Sequence, residues 1–357
     1  MRATLETRAM PPVRPNRWSR VKRGLSFERI GAVYVWIAIV IVFSIWIPDT
    51  FPTLATVRQI LNSNSIAGIA ALAITIPFCA RVFDLSFAYV MSLTGVTAAH
   101  FIAAGWGVAP SVALALAVGL AMGLINAVVV VVLRIDSLIG TLATGSLMLA
   151  FITLTTHDTP INDPKLNGPF AAIGQTTIGG VSLSVLYCLV IAFAMWYYLE
   201  HTASGRRLYA AGFNADAARL AGVRVNRLRF GSLLTSGFVA GIAGIVLAST
   251  TASGTPDAGT AYLLPGFAAV FLGATQLKYG RFNAWGTIIA VMMLGTGIIG
   301  LGLASAPAWA ANMFVGVVLI AALAVTGLER RAIGSGQRRR GHLLRRERLP
   351  ADAPPGA

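Results

Sequence analysis

The sequence predicts an all-α integral membrane protein with about ten transmembrane helices and both termini in the cytoplasm. Charged residues make up 11% of the 357 residues, and apolar residues make up 56%. Soluble domains carry about a quarter charged residues, so this chain has too few charges to solvate the surface of a soluble globule. The two-residue alternation of a membrane barrel is absent from the sequence. Because backbone polar groups must be paired in lipid, the apolar segments are predicted to be helices.

Ten apolar segments are long enough to be read as spans, since about 20 residues cross the hydrocarbon layer as a helix. They cover residues 30–47, 60–79, 85–104, 110–133, 137–154, 179–199, 229–250, 262–277, 284–303 and 307–326. The first segment follows a basic stretch, as a signal peptide does. It is longer than a signal-peptide core and no small-residue cleavage site follows it, so we predict a retained first span.

The positions of the basic residues support this count and predict the orientation. All of the 28 Lys and Arg residues except Arg58 and Lys165 fall in regions predicted to be cytoplasmic, where basic residues are retained. This partition predicts a basic tail over 1–29, a transmembrane domain over 30–326 and a second basic tail over 327–357. The net charge of +15 forms no separate basic domain. Contact with membrane lipids is therefore expected, and binding of nucleic acid is not.

The polar residues inside the predicted spans are uncharged. Candidates for a solute path are Asn62, Asn64, Asn126, Thr141 and Thr144. Two interpretations remain open, because buried amides and hydroxyls either form interhelical hydrogen bonds or line a wet cavity for a neutral polar solute. Ion-coupled carriers commonly need an ionisable group inside the membrane. The absence of mid-span Asp, Glu, Lys and Arg therefore disfavours ion coupling.

Two further patterns concern packing. Small residues four apart, such as Gly119 and Gly123 or Gly237 and Gly241, predict close approach of helix backbones in lipid. Arg81 and Asp84 bracket the inner turn after the second span. They are expected either to pair or, in the interpretation we prefer, to let Asp84 cap the third span, and a role in gating is the alternative.

The long inner loop over 200–229 is predicted to be a docking element. Within it, Asn214 is a candidate N-cap, the following residues are good helix formers, and a glycine ends the segment. A short surface helix with Ala217, Ala218 and Leu220 exposed would fit a groove on a partner, although a self-packed turn is the alternative. The residues predicted to form the docking helix are Asn214, Ala217, Ala218, Arg219 and Gly222.

The sequence contains no recognisable catalytic or nucleotide-binding motif. Lys22, Lys165 and Lys278 are the three lysines, and none lies in the frame of a phosphate-binding loop. Cys79 and Cys188 fall in apolar segments without ligand spacing, so no metal or other cofactor is expected. If ATP drives this protein, another polypeptide must bind it, and the chain is expected to be a transport subunit rather than an enzyme.

Four segments resemble ribose-type sugar permeases of ATP-binding cassette (ABC) importers. They are TASGRRLYAAGFNADAARLAG (202–222), CARVFDLSFAYVMSLTG (79–95), SGFVAGIAGIVLAS (236–249) and FLGATQLKYGRFNAWGT (271–287). Their order along the chain also matches, and the resemblance covers about residues 60–326. The sequence departs from the family pattern where Val82 and Phe83 replace two glycines before Asp-Leu-Ser.

The resemblance implies a type II ABC importer permease fold in the cytoplasmic membrane of a bacterium. It implies three partners: a cytoplasmic ABC ATPase, an extracytoplasmic solute-binding protein and a second permease subunit, most simply a second copy of this chain. It also implies that Asn214–Gly222 is the coupling helix and that the solute is a monosaccharide. Branched-chain amino acids, nucleosides and polyols remain alternatives as solutes, and a stand-alone channel or secondary carrier remains the alternative class.

Overall fold

The computed structural model describes residues 27–275 and 280–321, and within them the chain is almost entirely helical. The helices are α1 (Phe27–Trp46), α2 (Leu54–Cys79), α3 (Phe87–Ala103), α4 (Val108–Ala127), α5 (Ser137–Thr156), α6 (Pro169–Gln175), α7 (Leu183–His201), α8 (Ala203–Phe213), α9 (Ala215–Leu220), α10 (Val225–Thr251), α11 (Leu263–Ala274), α12 (Ala284–Leu303) and α13 (Ala308–Ala321). A π-helical segment, Val128–Val132, prolongs α4. The predicted tails lie outside the described residues, except that α1 begins at Phe27.

Within the described residues, each predicted span overlaps one of these helices. Among the described residues, six helices are long and apolar enough to cross a membrane: α2, α4 with its π-helical extension, α5, α7, α10 and α12. The apolar helices Val33–Trp46, Phe87–Ala103, Thr260–Ala274 and Ala308–Ala321 are shorter. The all-α membrane architecture thus fits the sequence prediction, while the count of ten spans stays a prediction.

The outer loop before α7 contains more structure than the sequence pattern indicated. Two short strands, β1 (Thr177–Ile178) and β2 (Val181–Ser182), pair antiparallel. Gly179 and Gly180 form the turn with φ of 62° and 84°, which glycine adopts without steric cost. The span predicted to start at 179 therefore starts at Leu183, because this hairpin occupies the preceding residues.

Helix α10 lies at the centre of the bundle, against α2, α3 and α4. Its contact with α4 depends on missing side chains, because a Cβ on Gly237 would lie 2.4 Å from the carbonyl oxygen of Gly119. Likewise, a Cβ on Gly244 would lie 2.1 Å from the carbonyl oxygen of Met91 on α3. These distances confirm the close backbone approach predicted from the glycine spacing.

The other half of the core is built around α2. This helix packs against α7, α11 and α12, and nearly all of its residues from Gly68 to Cys79 are buried. By contrast, α5 and α7 leave large apolar side chains such as Ile139, Leu154 and Phe193 exposed. Exposed apolar surface on this scale is expected of helices that face lipid rather than water.

Candidate coupling site and solute path

The predicted docking helix forms as α9, with the predicted ends. The Asn214 side-chain oxygen accepts hydrogen bonds from the backbone N–H groups of Asp216 and Ala217, at 3.1 and 3.0 Å. At the other end Gly222 has φ of 80°, a left-handed conformation that commonly terminates helices. Sequence chemistry alone therefore located this six-residue helix correctly.

The predicted exposed face of α9 is partly wrong. Ala218 is 5% exposed, because this side of α9 packs against Ala211 of α8 and Val225 at the start of α10. Ala217 is exposed as predicted. The large apolar side chains that do face outward are Leu220 at 91% and Phe213 at 83% exposure. Phe213 was missed because it precedes the N-cap.

Arg219 also lies on the exposed side of α9. Its guanidinium contacts the Asp216 carboxylate at 2.7 Å, three residues earlier on the same helix. The Arg219 side chain is half exposed and the Asp216 side chain is largely exposed, so this ion pair adds little to stability. The outward surface of α9 therefore carries one positive and one negative charge beside the apolar Leu220.

Helix α8 anchors this surface to two inner turns of the bundle. Gly212 lies against the C-terminal end of α2, so closely that a Cβ would lie 1.9 Å from the Cys79 carbonyl oxygen. The Tyr209 hydroxyl donates to the carbonyl oxygen of Phe282 at 2.8 Å, and the Arg281 guanidinium lies 3.8 Å from the centre of the Tyr209 ring. Helix α8 therefore connects α9 to the turns after α2 and before α12.

Asp84, in the turn between α2 and α3, is buried without a salt bridge among the described residues. One carboxylate oxygen accepts from the Ser86 backbone N–H at 2.9 Å and from its hydroxyl at 2.6 Å. The other accepts from the Ser236 hydroxyl of α10 at 2.6 Å. Asp84 thus precedes the N-cap position, which Ser86 occupies. Burial raises the pKa of the Asp84 carboxyl, and these hydrogen bonds oppose that rise.

The hydrogen bonds continue from Ser86 to α4 and α5. The Asn126 amide donates to the Ser86 hydroxyl at 2.6 Å, and the Thr144 hydroxyl donates to the Asn126 amide oxygen. The Thr141 hydroxyl accepts from the backbone N–H of Leu85 at 3.0 Å. We call Asp84, Ser86, Asn126, Thr144 and Ser236 the polar network. Asn126 and Thr144 here join α4 to α5, and Thr141 joins α5 to the turn before α3. The role of these three residues in a solute path stays a prediction.

The remaining solute-path candidates lie elsewhere. The Asn62 side chain donates to the Gly180 carbonyl oxygen at 3.0 Å and accepts from the Ser182 backbone N–H at 2.9 Å, which ties α2 to the outer hairpin. Asn64 donates to the Ile60 carbonyl oxygen and borders a cavity of about 240 Å³ between α2, α11 and α12. The structure therefore does not bring the five candidates together at one site.

The sequence interpretation also missed Ser236 as a partner of Asp84. The Asp-Leu-Ser tripeptide predicts a local turn, since aspartate commonly accepts a hydrogen bond from the backbone two residues on. The tripeptide contains no information about the donor to the other carboxylate oxygen, because that donor, Ser236, lies 152 residues later in the chain.

Comparisons with known proteins agree with the resemblance. The family described as branched-chain amino acid transport system, permease component, matches residues 56–323. The ribose import permease protein RbsC of Escherichia coli strain K12 is 33% identical over 299 residues, which is 82% of this chain and 91% of that protein.

Two arabinose proteins are similar over comparable lengths. The L-arabinose transport system permease protein AraH of the same strain is 32% identical over 308 residues, covering 85% of this chain and 92% of that protein. The L-arabinose ABC transporter permease protein AraH of Azospirillum brasilense is 29% identical over 298 residues, covering 83% and 86%. No solved structure matches this chain.

Proposed function

This chain belongs to the family of branched-chain amino acid transport system permease components, and from that premise we propose that it is the permease subunit of a sugar ABC importer. The observation that carries the proposal is the similarity to ribose and arabinose permeases over more than 80% of both chains. The solute we propose is a monosaccharide, because the polar groups within the described helices are mainly neutral amides and hydroxyls suited to a neutral polyhydroxylated molecule.

The proposal includes the arrangement in the membrane. Ten spans would place both termini in the cytoplasm of a bacterium, with Arg58 and Lys165 on the outer side. The partners would be a cytoplasmic ABC ATPase, which binds the ATP, an extracytoplasmic solute-binding protein and a second permease subunit. The exposure of Phe213 and Leu220 at the two ends of the predicted docking segment supports a protein contact on the cytoplasmic side, since the buried centre of a protein interface is apolar and rich in aromatic residues.

In the mechanism we propose, α9 transmits the movement of the ATPase to the bundle. Closure of the ATPase on ATP would push on Leu220 and Phe213, and α8 would carry the displacement through Gly212 to the end of α2. The Tyr209 hydroxyl would carry it in parallel to Phe282 before α12. Both receiving turns connect spans, so their movement would tilt helices and switch access to the solute path.

Reconstitution tests the proposal. The permease is incorporated into proteoliposomes with its ATPase and binding protein, and uptake of labelled ribose, arabinose, leucine and a nucleoside is measured with and without ATP. We expect ATP-dependent uptake of a pentose and no uptake without the ATPase. Uptake of leucine or of the nucleoside alone would change the solute class. Flux without any ATPase would instead support a stand-alone channel or carrier and overturn the proposal.

A further inference from the structure

A basic pocket of about 570 Å³ opens beside the turns that join α2 to α3 and α4 to α5. The start of α10 and the end of α9 complete its wall. Four arginines and a single carboxylate line the pocket. Its polar lining consists of Arg81, Arg134, Asp136, Ser137, Arg219, Asn226 and Arg229.

The charges in this basic pocket are not balanced by the described residues. The single carboxylate, Asp136, already accepts hydrogen bonds from the backbone N–H groups of Leu138 and Ile139, as the N-cap of α5. Arg219 is paired with Asp216, and no salt bridge within the described ranges involves Arg81, Arg134 or Arg229. The Arg229 Nε is buried and has no hydrogen-bond partner there. Clustered like charges repel, so an anion would stabilise the pocket.

The backbone at two of these arginines adds to the case. Arg81 has φ of 54° and Arg134 has φ of 59°, both in the left-handed region. Glycine adopts this conformation most easily, and helix ends commonly place it there. The chain instead has arginine at both positions, and both side chains reach the same pocket. At both positions the chain therefore carries a positive charge on a backbone conformation that glycine adopts more easily.

The surface next to the basic pocket indicates what kind of anion fits. Val132 ends the π-helical extension of α4, Leu133 directly precedes the pocket residue Arg134, and Ile139 lies in the first turn of α5, two residues after the pocket residue Ser137; all three apolar side chains are exposed. Apolar side chains at the end of a span face the acyl chains of lipid, and basic residues beside them lie at headgroup level. A soluble anion would use the arginines but would leave this adjoining apolar surface uncovered.

We propose that the basic pocket binds the phosphate of an anionic phospholipid in the cytoplasmic leaflet. The acyl chains lie along Val132, Leu133 and Ile139, and the arginines hold the headgroup. Because Arg219 belongs to α9, the bound lipid also links the coupling helix to the turns at Arg81 and Arg134. The inference rests on the membrane orientation in the proposed function, but it does not depend on which solute is carried.

The test uses the purified full-length permease alone in nanodiscs of phosphatidylcholine with or without phosphatidylglycerol. Retained phosphatidylglycerol is counted by native mass spectrometry, and the unfolding midpoint is measured in parallel. In the wild type, phosphatidylglycerol should be retained and should raise the midpoint. Arg81→Gln with Arg134→Gln should weaken retention roughly thirtyfold, as expected for loss of two arginines near a lipid phosphate.

The matched control is Arg207→Gln with Arg227→Gln, which removes the same charge from a different groove on the same side of the protein. It should retain phosphatidylglycerol as the wild type does. Equal losses in both double variants would show diffuse surface attraction and overturn the proposal. Equal stabilisation by soluble glycerol phosphate would show that the lipid is not the source of the phosphate. In a separate copurification with the ATPase, loss of the ATPase from the Arg81→Gln, Arg134→Gln variant without any change in lipid retention would assign the pocket to protein docking and overturn the proposal. None of these outcomes depends on transport.

Discussion

Two side chains show what stabilises the buried turn after α2 and what the proposed docking surface exposes. At Asp84, hydrogen bonds from Ser86 and Ser236 replace the water that the carboxylate loses on burial. At Leu220, the side chain remains outside because no part of the described structure covers it. The two residues illustrate opposite conditions: a polar group buried with partners and an apolar group exposed without one. Each leads to a substitution with a defined outcome.

Removing one hydroxyl from the polar network should destabilise the protein in a pH-dependent way. Ser236→Ala leaves one oxygen of the buried Asp84 carboxylate without its donor, which typically costs about 1–3 kcal/mol of unfolding free energy. That hydrogen bond lowers the pKa of Asp84, so its loss raises the pKa further above the ordinary 3.8. A carboxyl with a raised folded pKa destabilises increasingly as pH rises above its unfolded pKa.

Unfolding measured at several pH values from acid to neutral should therefore show the larger deficit of Ser236→Ala near neutral pH. Ser146→Ala is the control, since its exposed hydroxyl bonds only the backbone of its own helix. A deficit for Ser236→Ala that is the same at every pH would contradict the role of Asp84 in the effect.

Substituting Leu220 should separate docking from folding. Leu220→Glu places a charge where we expect an apolar contact with the ATPase, so copurification of the ATPase should fall at least tenfold and coupled ATP hydrolysis should be lost. The unfolding midpoint of the permease alone should not change, because the side chain is 91% exposed. Ile178→Glu on the outer hairpin, also highly exposed, should leave copurification intact. Normal coupling in Leu220→Glu would remove α9 from the docking surface.

Among the helices, α10 organises the bundle through glycines, which have no side chain to keep the neighbouring helices apart. It meets α4 at Gly119 and Gly237 and α3 at Gly244, so backbone atoms come into direct contact. In lipid such contacts supply association energy that the hydrophobic effect does not. The end of α10 nearest α9 is different, because Gly231 has open space around it. Helix α10 therefore contains a tightly packed glycine, Gly237, and an unpacked one, Gly231, which serves as its control.

Gly237→Ala should weaken the packing of α4 on α10. The added methyl group would lie 2.4 Å from the Gly119 carbonyl oxygen, so the helices must separate. Overpacking of this kind typically costs about 1–3 kcal/mol. Gly231→Ala adds the same methyl group without a clash and should stabilise by up to about 1 kcal/mol through helix propensity. Thermal unfolding in a mild detergent compares the two, and a similar effect at both positions would contradict close packing at Gly237.

The whole molecule is defined by its orientation in the membrane. The outer hairpin and the end of α8 belong to opposite sides in the proposed topology, and each has an exposed apolar residue, Ile178 and Phe213. The native thiols of Cys79 and Cys188 are both buried. Introduced cysteines can therefore report on sidedness in an otherwise native chain.

In intact spheroplasts, Ile178→Cys should react with a membrane-impermeant maleimide. Phe213→Cys should react only after the membrane is opened, because the proposed topology places it on the cytoplasmic side. The wild-type chain should remain unlabelled under both conditions. Labelling of Phe213→Cys in intact spheroplasts would invert the topology and, with it, the assignment of α9 to the ATPase.

Much of the architecture was predictable because the chemistry involved is local. Apolar length located the helices, Asn214 and Gly222 marked the ends of α9, and glycine spacing indicated the close contact along α10. The span count and the identity of the solute remain predictions, because helix lengths and relatives bear on them only indirectly. The face of each helix was harder to assign, since helices that are apolar on all sides contain little periodicity to show which side is buried.

The sequence by itself determined that this chain is a helical membrane protein and, through the segments around 79–95 and 202–222, which family it resembles. Only the tertiary structure decided that Ala218 faces inward while Phe213 and Leu220 face outward, that Asp84 meets Ser236, and that Asn126 meets Ser86. The physical reason is that composition and capping act within a few residues. Burial and hydrogen bonding between helices depend instead on how distant segments are rotated against one another.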